Sequence, residues 1–399
     1  MIKRVLNQGL LCLLSAIFVL TPLEAYMQMI IIVGLFGLWF VSTLFIDSKW
    51  VKLTIPYFAF IAFVIVLDYI LGSIWYDPTL QLLGVNKITL FIWPILFLFY
   101  ARHLDLMKWP LWIILGMLLC SAIYTYIGNM LFPGASRALA SASDELAEAR
   151  AEFKAMFIGG YDFIYAVTFM LLPLLLMARH AVVNKLMVIA YVIFMSITIL
   201  TGAYFMSVLF SIVMILLSVV DVKNITRFLV SIIVVGLLVY AMKDAILDWL
   251  IAFGESIDSE ILSKRALLLK EGGYTYEYGE GNRFALYQNA IENYLDRPLL
   301  GALEGVDITY RRSGHSALLD YLEKYGLLSI VYFMFFRRVY KHTSSTIRSV
   351  YIHTEYMLYY IAFMIFLLVN GFAGADMLAY MVFFFAPVMF LMVDRQIIK

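Results

Sequence analysis

The residues best suited to chemistry lie between Gly281 and Gly326, and His315 is the first of them. It follows Arg311 and Arg312 closely, whereas the other four histidines lie in or beside short basic segments. Cationic neighbours favour neutral imidazole, which is the form that a general base needs. A lone histidine is more often structural than catalytic. Its position, where a polar segment meets an apolar run, nevertheless makes His315 our first candidate for a base.

Arg283 is the second candidate. Residues 284–294 have the pattern of an amphipathic helix that starts just after Asn282, with Arg283 in its first turn. A cation at that position does not complement the helix dipole, which favours acids at N-termini. This local misfit favours a ligand-facing role for Arg283. Pro298 and Gly301 then predict the turn that ends the helix.

The elements that must position these residues are membrane helices. The chain has 399 residues, of which 64% are hydrophobic and 14% charged, with a mean hydropathy of +0.91. Soluble domains carry about 45–50% apolar and about 25% charged residues, so the composition excludes an ordinary soluble protein. A net charge of +1 does not suggest a nucleic-acid partner. Cys12 and Cys120 lie in apolar runs and predict neither a disulfide nor a zinc site.

The sequence predicts an all-α polytopic membrane protein with about 12 transmembrane helices. A membrane-crossing helix needs about 20 mostly apolar residues. A tight hairpin through Thr201, Gly202 and Ala203 joins the seventh predicted span to the eighth. The predicted spans are 5–21, 27–46, 53–74, 85–101, 109–130, 157–177, 186–202, 204–220, 226–242, 316–336, 354–372 and 377–393.

The distribution of basic residues predicts the orientation. Cytoplasmic loops are enriched in Lys and Arg. With the N-terminus inside, every inner connector carries at least two basic residues, whereas the short outer connectors around Glu24, Thr201 and Gly374 carry none. We therefore expect both termini in the cytoplasm. The basic residues on that side are Lys3, Arg4, Lys49, Lys52, Arg102, Lys108, Arg179, Lys185, Lys223, Arg227, Arg337, Arg338, Lys341, Arg348, Arg395 and Lys399.

Two outer segments are too long for tight turns, and they divide the chain. The first segment, near 131–156, belongs to the N-terminal part of the chain, 1–242, which holds the predicted helices 1–9. Within that segment, the composition of 138–153 predicts a short helix outside the membrane. The second, 243–315, is a large extracytoplasmic loop before the tenth helix. A structureless loop of that length is uncommon, so we expect an ordered, catalytic unit. Residues 316–399 hold helices 10–12.

Charged residues also gather where the predicted spans reach the outer face. The tenth span begins with Asp320, Glu323 and Lys324, while Asp68 and Asp162 lie near the outer ends of their own spans. Ionisable groups at membrane depth are costly and usually face a bundle interior or a watery cavity. Alternatively, the tenth helix projects above the bilayer and its charges are solvated.

Taken in chain order, the motifs resemble those of a known group of enzymes. They are Gly159-Gly160-Tyr161-Asp162-Phe163; Arg283 with its helix and the Pro298-Leu299-Leu300-Gly301 turn; and Gly314-His315-Ser316 through Asp320 to Tyr325-Gly326. They resemble the O-antigen polymerase/ligase superfamily, and most closely a Wzy-type oligosaccharide repeat-unit polymerase. They cover about a tenth of the chain. The stretch 301–305 departs from the tighter Gly-x-Gly turn of that family, which leaves the loop geometry there open.

The resemblance implies an inverting, metal-independent glycosyltransferase without a cofactor. Such an enzyme moves a growing glycan from undecaprenyl pyrophosphate onto a lipid-linked repeat unit at the periplasmic face of the bacterial inner membrane. Its expected partners are undecaprenyl-pyrophosphate-linked oligosaccharides and membrane lipid, with a chain-length regulator protein as a further candidate. Arginine forks match phosphate oxygens. The residues thereby implied are His315, Arg283 and Arg312 as catalytic, and Arg311, Arg265, Arg137, Arg150, Asp320, Asp162 and Asn282 as substrate-binding.

Three other functions stay open at this point. An O-antigen ligase would share the donor and the membrane side but transfer the glycan to lipid A–core. A lipid-linked oligosaccharide transporter would be expected to show repeated halves with broken helices near mid-membrane, whereas here the ionisable residues gather at the outer ends. A membrane scaffold would leave His315 and the arginines without a role.

Overall fold

The computed structural model shows a helical protein. It describes residues 2–21, 29–74, 88–139, 147–219, 241–256, 263, 266–267, 270, 283–304, 316–371 and 376–396. Every element in these ranges is helical, as predicted. The α-helices are α1 (Ile2–Val19), α2 (Met29–Leu44), α3 (Ile55–Ile74), α4 (Ile88–Tyr100), α5 (Lys108–Leu131), α6 (Ala135–Ala138), α7 (Ala147–Ala155), α8 (Tyr161–Arg179), α9 (Lys185–Thr201), α10 (Phe205–Val219), α11 (Lys243–Ser256), α12 (Arg283–Asp296), α13 (Ala317–Tyr325), α14 (Ile330–Thr346), α15 (Val350–Val369), α16 (Asp376–Tyr380) and α17 (Ala386–Arg395).

Several of these helices suit a membrane. In the described part of the chain, 5 helices are long and apolar enough to cross one: α1, α5 with its preceding turn, α8, α15 and the segment Met377–Arg395. Shorter apolar helices of 10–17 residues lie within α2, α3, α4, α9 and α10. These helices support a polytopic membrane protein. The count of twelve spans stays a prediction, and the predicted ninth span, 226–242, lies outside the described residues.

The predicted tenth span is not one continuous helix. Helix α13 ends at Tyr325, a 3₁₀ turn covers Gly326–Ser329, and α14 continues to Thr346, ten residues beyond the predicted end. Gly326 adopts a φ of +55°, which breaks a right-handed helix and which glycine tolerates readily. The span is predicted from the number of apolar residues along 316–336, and that number does not reveal a break in the helix.

The predicted helix 138–153 is described only in part. Helix α6 ends at Ala138, Leu139 is in a turn, 140–146 lie outside the described residues, and α7 covers Ala147–Ala155. A helix is therefore present over the second half of the predicted stretch. By contrast, the helix predicted to begin after Asn282 is confirmed as α12, and the tight turn between α9 and α10 is confirmed at 202–204.

The core of the bundle is α8 and the C-terminal segment, both almost completely buried. A π-helical turn, Met381–Phe385, joins α16 to α17 and packs aromatic rings against neighbouring helices. Helix α8 contacts α9, α10, α16 and α17. The helices that reach the candidate site, α8, α13 and α15, are thus anchored to this core.

Connectors rich in basic residues meet at one end of the bundle, which we call the basic end. Arg4 of α1 lies 2.8 Å from Asp105, and Arg102 lies 3.1 Å from Asp47. The connector between α14 and α15 meets the end of α17, where the Ser349 backbone N–H donates to Asp394 at 2.7 Å. Segments predicted to share one membrane face are therefore close in space.

Candidate functional site

The C-terminal end of α15 lies away from the basic end and gathers the motif segments. The last carbonyls of a helix lack partners within the helix. Here the hydroxyl of Tyr287 (α12) donates to the Val369 carbonyl at 3.0 Å, the N–H of Ala317 (α13) to that of Asn370 at 3.0 Å, and the hydroxyl of Tyr161 (α8) to that of Gly371 at 2.7 Å. Three segments that are far apart in sequence therefore meet at one helix end, which we call the site end.

Helix α12 and the turn after it run beside α13. Asn293 of α12 donates its side-chain amide to Glu323 of α13 at 3.0 Å. Further along, the Leu327 N–H reaches the Pro298 carbonyl at 2.8 Å and the Leu299 carbonyl at 3.1 Å. The Pro-Leu-x-Gly turn is thus hydrogen-bonded to the residue that directly follows the Tyr-Gly motif, although the two motifs are about 25 residues apart in the sequence.

Two glycines make this contact possible. Gly301 and Gly326 both have positive φ, at +58° and +55°. A Cβ on Gly326 would lie 2.7 Å from the Leu299 carbonyl carbon and 2.8 Å from the Gly301 nitrogen, both backbone atoms. Since real Cβ atoms do not come that close, glycine is required by the approach of the two chains as well as by φ.

Helix α13 has its own start signal and one buried face. The Ser316 hydroxyl caps the helix by accepting from the Leu319 N–H at 3.3 Å. Tyr321 and Tyr325 lie four residues apart on the buried face, and the Tyr321 ring stacks on Tyr332 of α14 at 4.1 Å. This packing fixes α13 against the helix that follows the break.

A buried ion pair joins α13 to α3. Lys324 Nζ lies 2.6 Å from Asp68 Oδ1, with side-chain exposures of 9% and 0%. The Tyr325 hydroxyl donates to the same carboxylate oxygen. Glu323 is only 1% exposed. The alternative in which these charges are solvated is therefore wrong for Glu323 and Lys324, because their partners on α3 and α12 replace water.

The Gly-Gly-Tyr-Asp motif forms the entry to α8. The Ser136 hydroxyl donates to the Gly159 carbonyl at 2.6 Å, and the Tyr204 hydroxyl donates to the Ser136 carbonyl at 2.6 Å. The Arg137 guanidinium lies over the Tyr204 ring at 5.8 Å. Asp162 lies in the first turn of α8, directly after this motif's tyrosine. This entry therefore carries one positive and one negative side chain, both half-buried.

The predicted site residues fall into two groups. Among those described, Arg137 lies in α6, Arg150 in α7, Asp162 in the first turn of α8 and Asp320 in the first turn of α13. Arg283 is the first residue of α12, although its side chain lies outside the described part. The structure brings the helices of Asp162, Arg283 and Asp320 together at the site end. His315, Arg312, Arg311, Arg265 and Asn282 lie outside the described residues.

Sequence reasoning missed the partner of Lys324. It noted both Asp68 and Lys324 but did not pair them, because 256 positions separate them. It also missed the tether from Tyr161 to Gly371. For the packing of α13, one signal was available in the sequence. Ala317, Tyr321 and Tyr325 are spaced four residues apart, which indicates a buried helix face that ends at Gly326.

Two further findings bear on identity. Among the described residues, no group of His, Cys, Asp and Glu side chains has the arrangement of a metal site; metal independence stays a prediction. No protein-family model matches the sequence, and no curated protein matches it. The resemblance to O-antigen polymerases and ligases therefore rests on the motif residues alone.

Proposed function

We propose that the protein is an O-antigen or related polysaccharide repeat-unit polymerase. The observation that carries the proposal is the meeting of three motif segments at the end of α15. The Gly-Gly-Tyr-Asp segment, the helix that begins at Arg283 and the helix that follows His315 are each tied there by a hydrogen bond. These segments resemble those of Wzy-type polymerases, and a shared catalytic site requires them to be close.

In this reaction an acceptor sugar hydroxyl attacks the anomeric carbon of the donor glycan. The new glycosidic C–O bond forms as the bond to the pyrophosphate oxygen breaks, and the electron pair leaves with undecaprenyl pyrophosphate. His315 takes the proton of the acceptor hydroxyl, a contribution worth typically ~10²–10⁴-fold. A single displacement inverts the anomeric configuration.

Arginines are proposed to stabilise the leaving pyrophosphate. Arg283 and Arg312 lead, with Arg311, Arg265, Arg137 and Arg150 behind them. Guanidinium groups bind phosphate oxygens bidentately and stay charged. Asp320, Asp162 and Asn282 are proposed to bind sugar hydroxyls, since carboxylate and amide oxygens accept hydrogen bonds from them. In this arrangement the arginines neutralise the negative charge of the leaving pyrophosphate, as a divalent cation does in other enzymes.

The proposed location is the bacterial inner membrane. Basic residues concentrate on the cytoplasmic side of membrane proteins, and the basic end and the site end lie at opposite ends of α15. The proposal therefore puts both termini in the cytoplasm and the site at the periplasmic face. Lipid-linked oligosaccharides, membrane lipid and a chain-length regulator protein are the proposed partners.

The test is genetic complementation, read by separating the surface glycan by size on a gel. Deleting the gene in its host is expected to leave lipid A–core capped with a single repeat unit. Wild type should restore long chains, whereas His315→Ala and Arg283→Ala should not. The matched control is His353→Ala, in the first turn of α15 at the basic end, which should restore chains fully.

Other outcomes would overturn the proposal. A null strain whose long chains stay on undecaprenyl pyrophosphate, with uncapped core, would identify a ligase. A null strain in which repeat units accumulate on the cytoplasmic side would identify a transporter. Full restoration by Arg283→Ala would remove the role given to that arginine.

A further inference from the structure

Helix α12 presents apolar side chains on its outer surface. Ile291 is 45% exposed, Leu295 65% and Leu299, in the turn that follows, 61%. We call these three residues the α12 strip. Ile291 and Leu295 are four residues apart and so lie on one side of the helix. Large apolar side chains in such a row usually mark a surface that another apolar phase covers.

The strip continues onto α14. The Leu327 N–H bonds to the Leu299 carbonyl, so the two residues are neighbours. Leu327, Ile330 and Met334 are all exposed, and their spacing of three and four residues places them along one side of the chain as it enters α14. Exposed apolar residues therefore lie on both sides of this contact, on α12 with its turn and on the chain entering α14.

The adjoining side of α12 is polar. Gln288, Glu292 and Asp296 are exposed, and the Gln288 amide donates to Glu292 at 2.8 Å. Successive residues of a helix are about 100° apart, so Glu292 and Asp296 point away from the strip although each directly follows one of its members. The remaining face packs on the protein through buried Ala290 and through Asn293. The helix thus has an apolar side, a polar side and a protein-facing side.

We infer that α12 is a membrane-interface helix, with the α12 strip in the hydrocarbon of the bilayer and the Glu292–Asp296 side in water. Two observations favour lipid as the phase that covers the α12 strip. Tyr287 ties the start of α12 to Val369, the last residue of the membrane-length helix α15, which sets α12 at the membrane edge. The strip also adjoins the exposed apolar residues Leu327, Ile330 and Met334 of the chain that enters α14. Interfacial helices bury such a side about 5–10 Å into the boundary of headgroups and chains.

This inference changes what the segment 243–315 does. The sequence predicts an extracytoplasmic loop, whereas α12 would bind the bilayer directly. If the proposed function holds, on which this step alone rests, the helix that begins at Arg283 lies at the depth of a lipid-linked pyrophosphate. The polyprenyl donor would then reach the site sideways without leaving the membrane.

The test compares neighbouring positions at matched places along α12. Ile291→Cys with Glu292→Cys, and Leu295→Cys with Asp296→Cys, would be made in a chain carrying Cys12→Ala and Cys120→Ala. Each purified variant would be labelled with bimane and reconstituted into phosphatidylcholine vesicles with or without brominated phosphatidylcholine. Because all four positions are exposed, the substitutions should leave folding intact.

Brominated lipid is expected to quench positions 291 and 295 about twofold more than 292 and 296, because only the first two are in hydrocarbon. Aqueous iodide should show the opposite order. Equal access of iodide to all four positions would overturn the inference and return α12 to the water phase. Shielding of 291 and 295 from both quenchers would also overturn it, since another protein or a second copy would then cover the strip. Neither readout depends on catalysis, so the polymerase proposal stands or falls separately.

Discussion

Two ion pairs at opposite ends of the bundle differ in how deeply they are buried. At the basic end, Arg4 and Asp105 form an ion pair whose side chains are 58% and 55% exposed. At the site end, the Lys324–Asp68 pair is almost entirely buried, and three hydrogen bonds reach the carbonyls at the end of α15. Water competes for the Arg4–Asp105 pair and is excluded from the Lys324–Asp68 pair.

This difference predicts where the protein tolerates substitution. Exposed ion pairs contribute about 0.2–1 kcal/mol. Removing one member of a buried pair leaves an uncompensated charge and costs about 3–5 kcal/mol. The Arg4–Asp105 pair at the basic end should therefore tolerate change, whereas the Lys324–Asp68 pair at the site end should depend on each partner. That rigidity suits a site that must hold segments from α8, α12 and α13 in fixed positions.

The largest effect is expected for the buried pair. Lys324→Met, which removes the cation that faces the Asp68 carboxylate, should destabilise the protein by about 3–5 kcal/mol. Asp68→Asn should do the same, because the Lys324 ammonium loses its carboxylate partner. The double variant should recover most of the loss. Thermal unfolding in detergent would measure the coupling energy of the two substitutions.

The matched control is the exposed pair. The corresponding cycle with Arg4→Met and Asp105→Asn should give a coupling energy of about 0.2–1 kcal/mol. Equal coupling at the two ends would contradict the comparison, because burial would then make no difference.

A smaller effect is expected at the glycine contact. Gly326→Ala places a Cβ against backbone of the 298–301 turn at a φ of +55°, which should cost about 1–3 kcal/mol. The turn must shift, so polymer length should fall in the complementation assay. Gly116→Ala in α5, where a Cβ meets nothing within 4 Å, is the control and should be neutral or mildly stabilising. Full activity and stability of Gly326→Ala would show that the contact is dispensable.

The smallest effect is expected at Asp47, in the basic end. Its side chain caps the turn Ser48–Leu53 by accepting from the Lys49 N–H. Burial raises the pKa of Asp47, but that hydrogen bond and the charge of Arg102 outweigh it, so the pKa lies below its ordinary value. Asp47→Ala should therefore cost about 1 kcal/mol at neutral pH.

The sign of the pH dependence follows from that lowered pKa. The carboxylate contributes fully above its unfolded pKa of about 4, and the contribution is lost as the pH falls through the lower folded value. The difference in melting temperature between wild type and Asp47→Ala should shrink as the pH falls below about 4 and disappear in stronger acid. A difference that persists in strong acid would contradict this account. Asp47→Asn, which can cap but carries no charge, separates the hydrogen bond from the charge.

Local patterns predicted many of the elements correctly. The apolar runs gave most of the described membrane helices, the Thr201–Ala203 stretch gave a turn, and the pattern after Asn282 gave α12. Each of these elements depends on interactions between residues that are close in the sequence, so the sequence pattern predicts it directly. The candidate site was predicted as a set of motifs, and three of their segments are now seen to meet. The roles of His315 and Arg283 stay predictions.

The amino-acid sequence by itself determined the helical class, the apolar character and the concentration of basic residues in alternate connectors, because composition and periodicity are local properties. Only the tertiary structure decided that the predicted tenth span breaks at Gly326 and that Lys324 is buried against Asp68. Whether a glycine bends a helix, or a charge leaves water, depends on the partner that the fold brings to it. Because that partner is distant in the chain, no local sequence pattern identifies it.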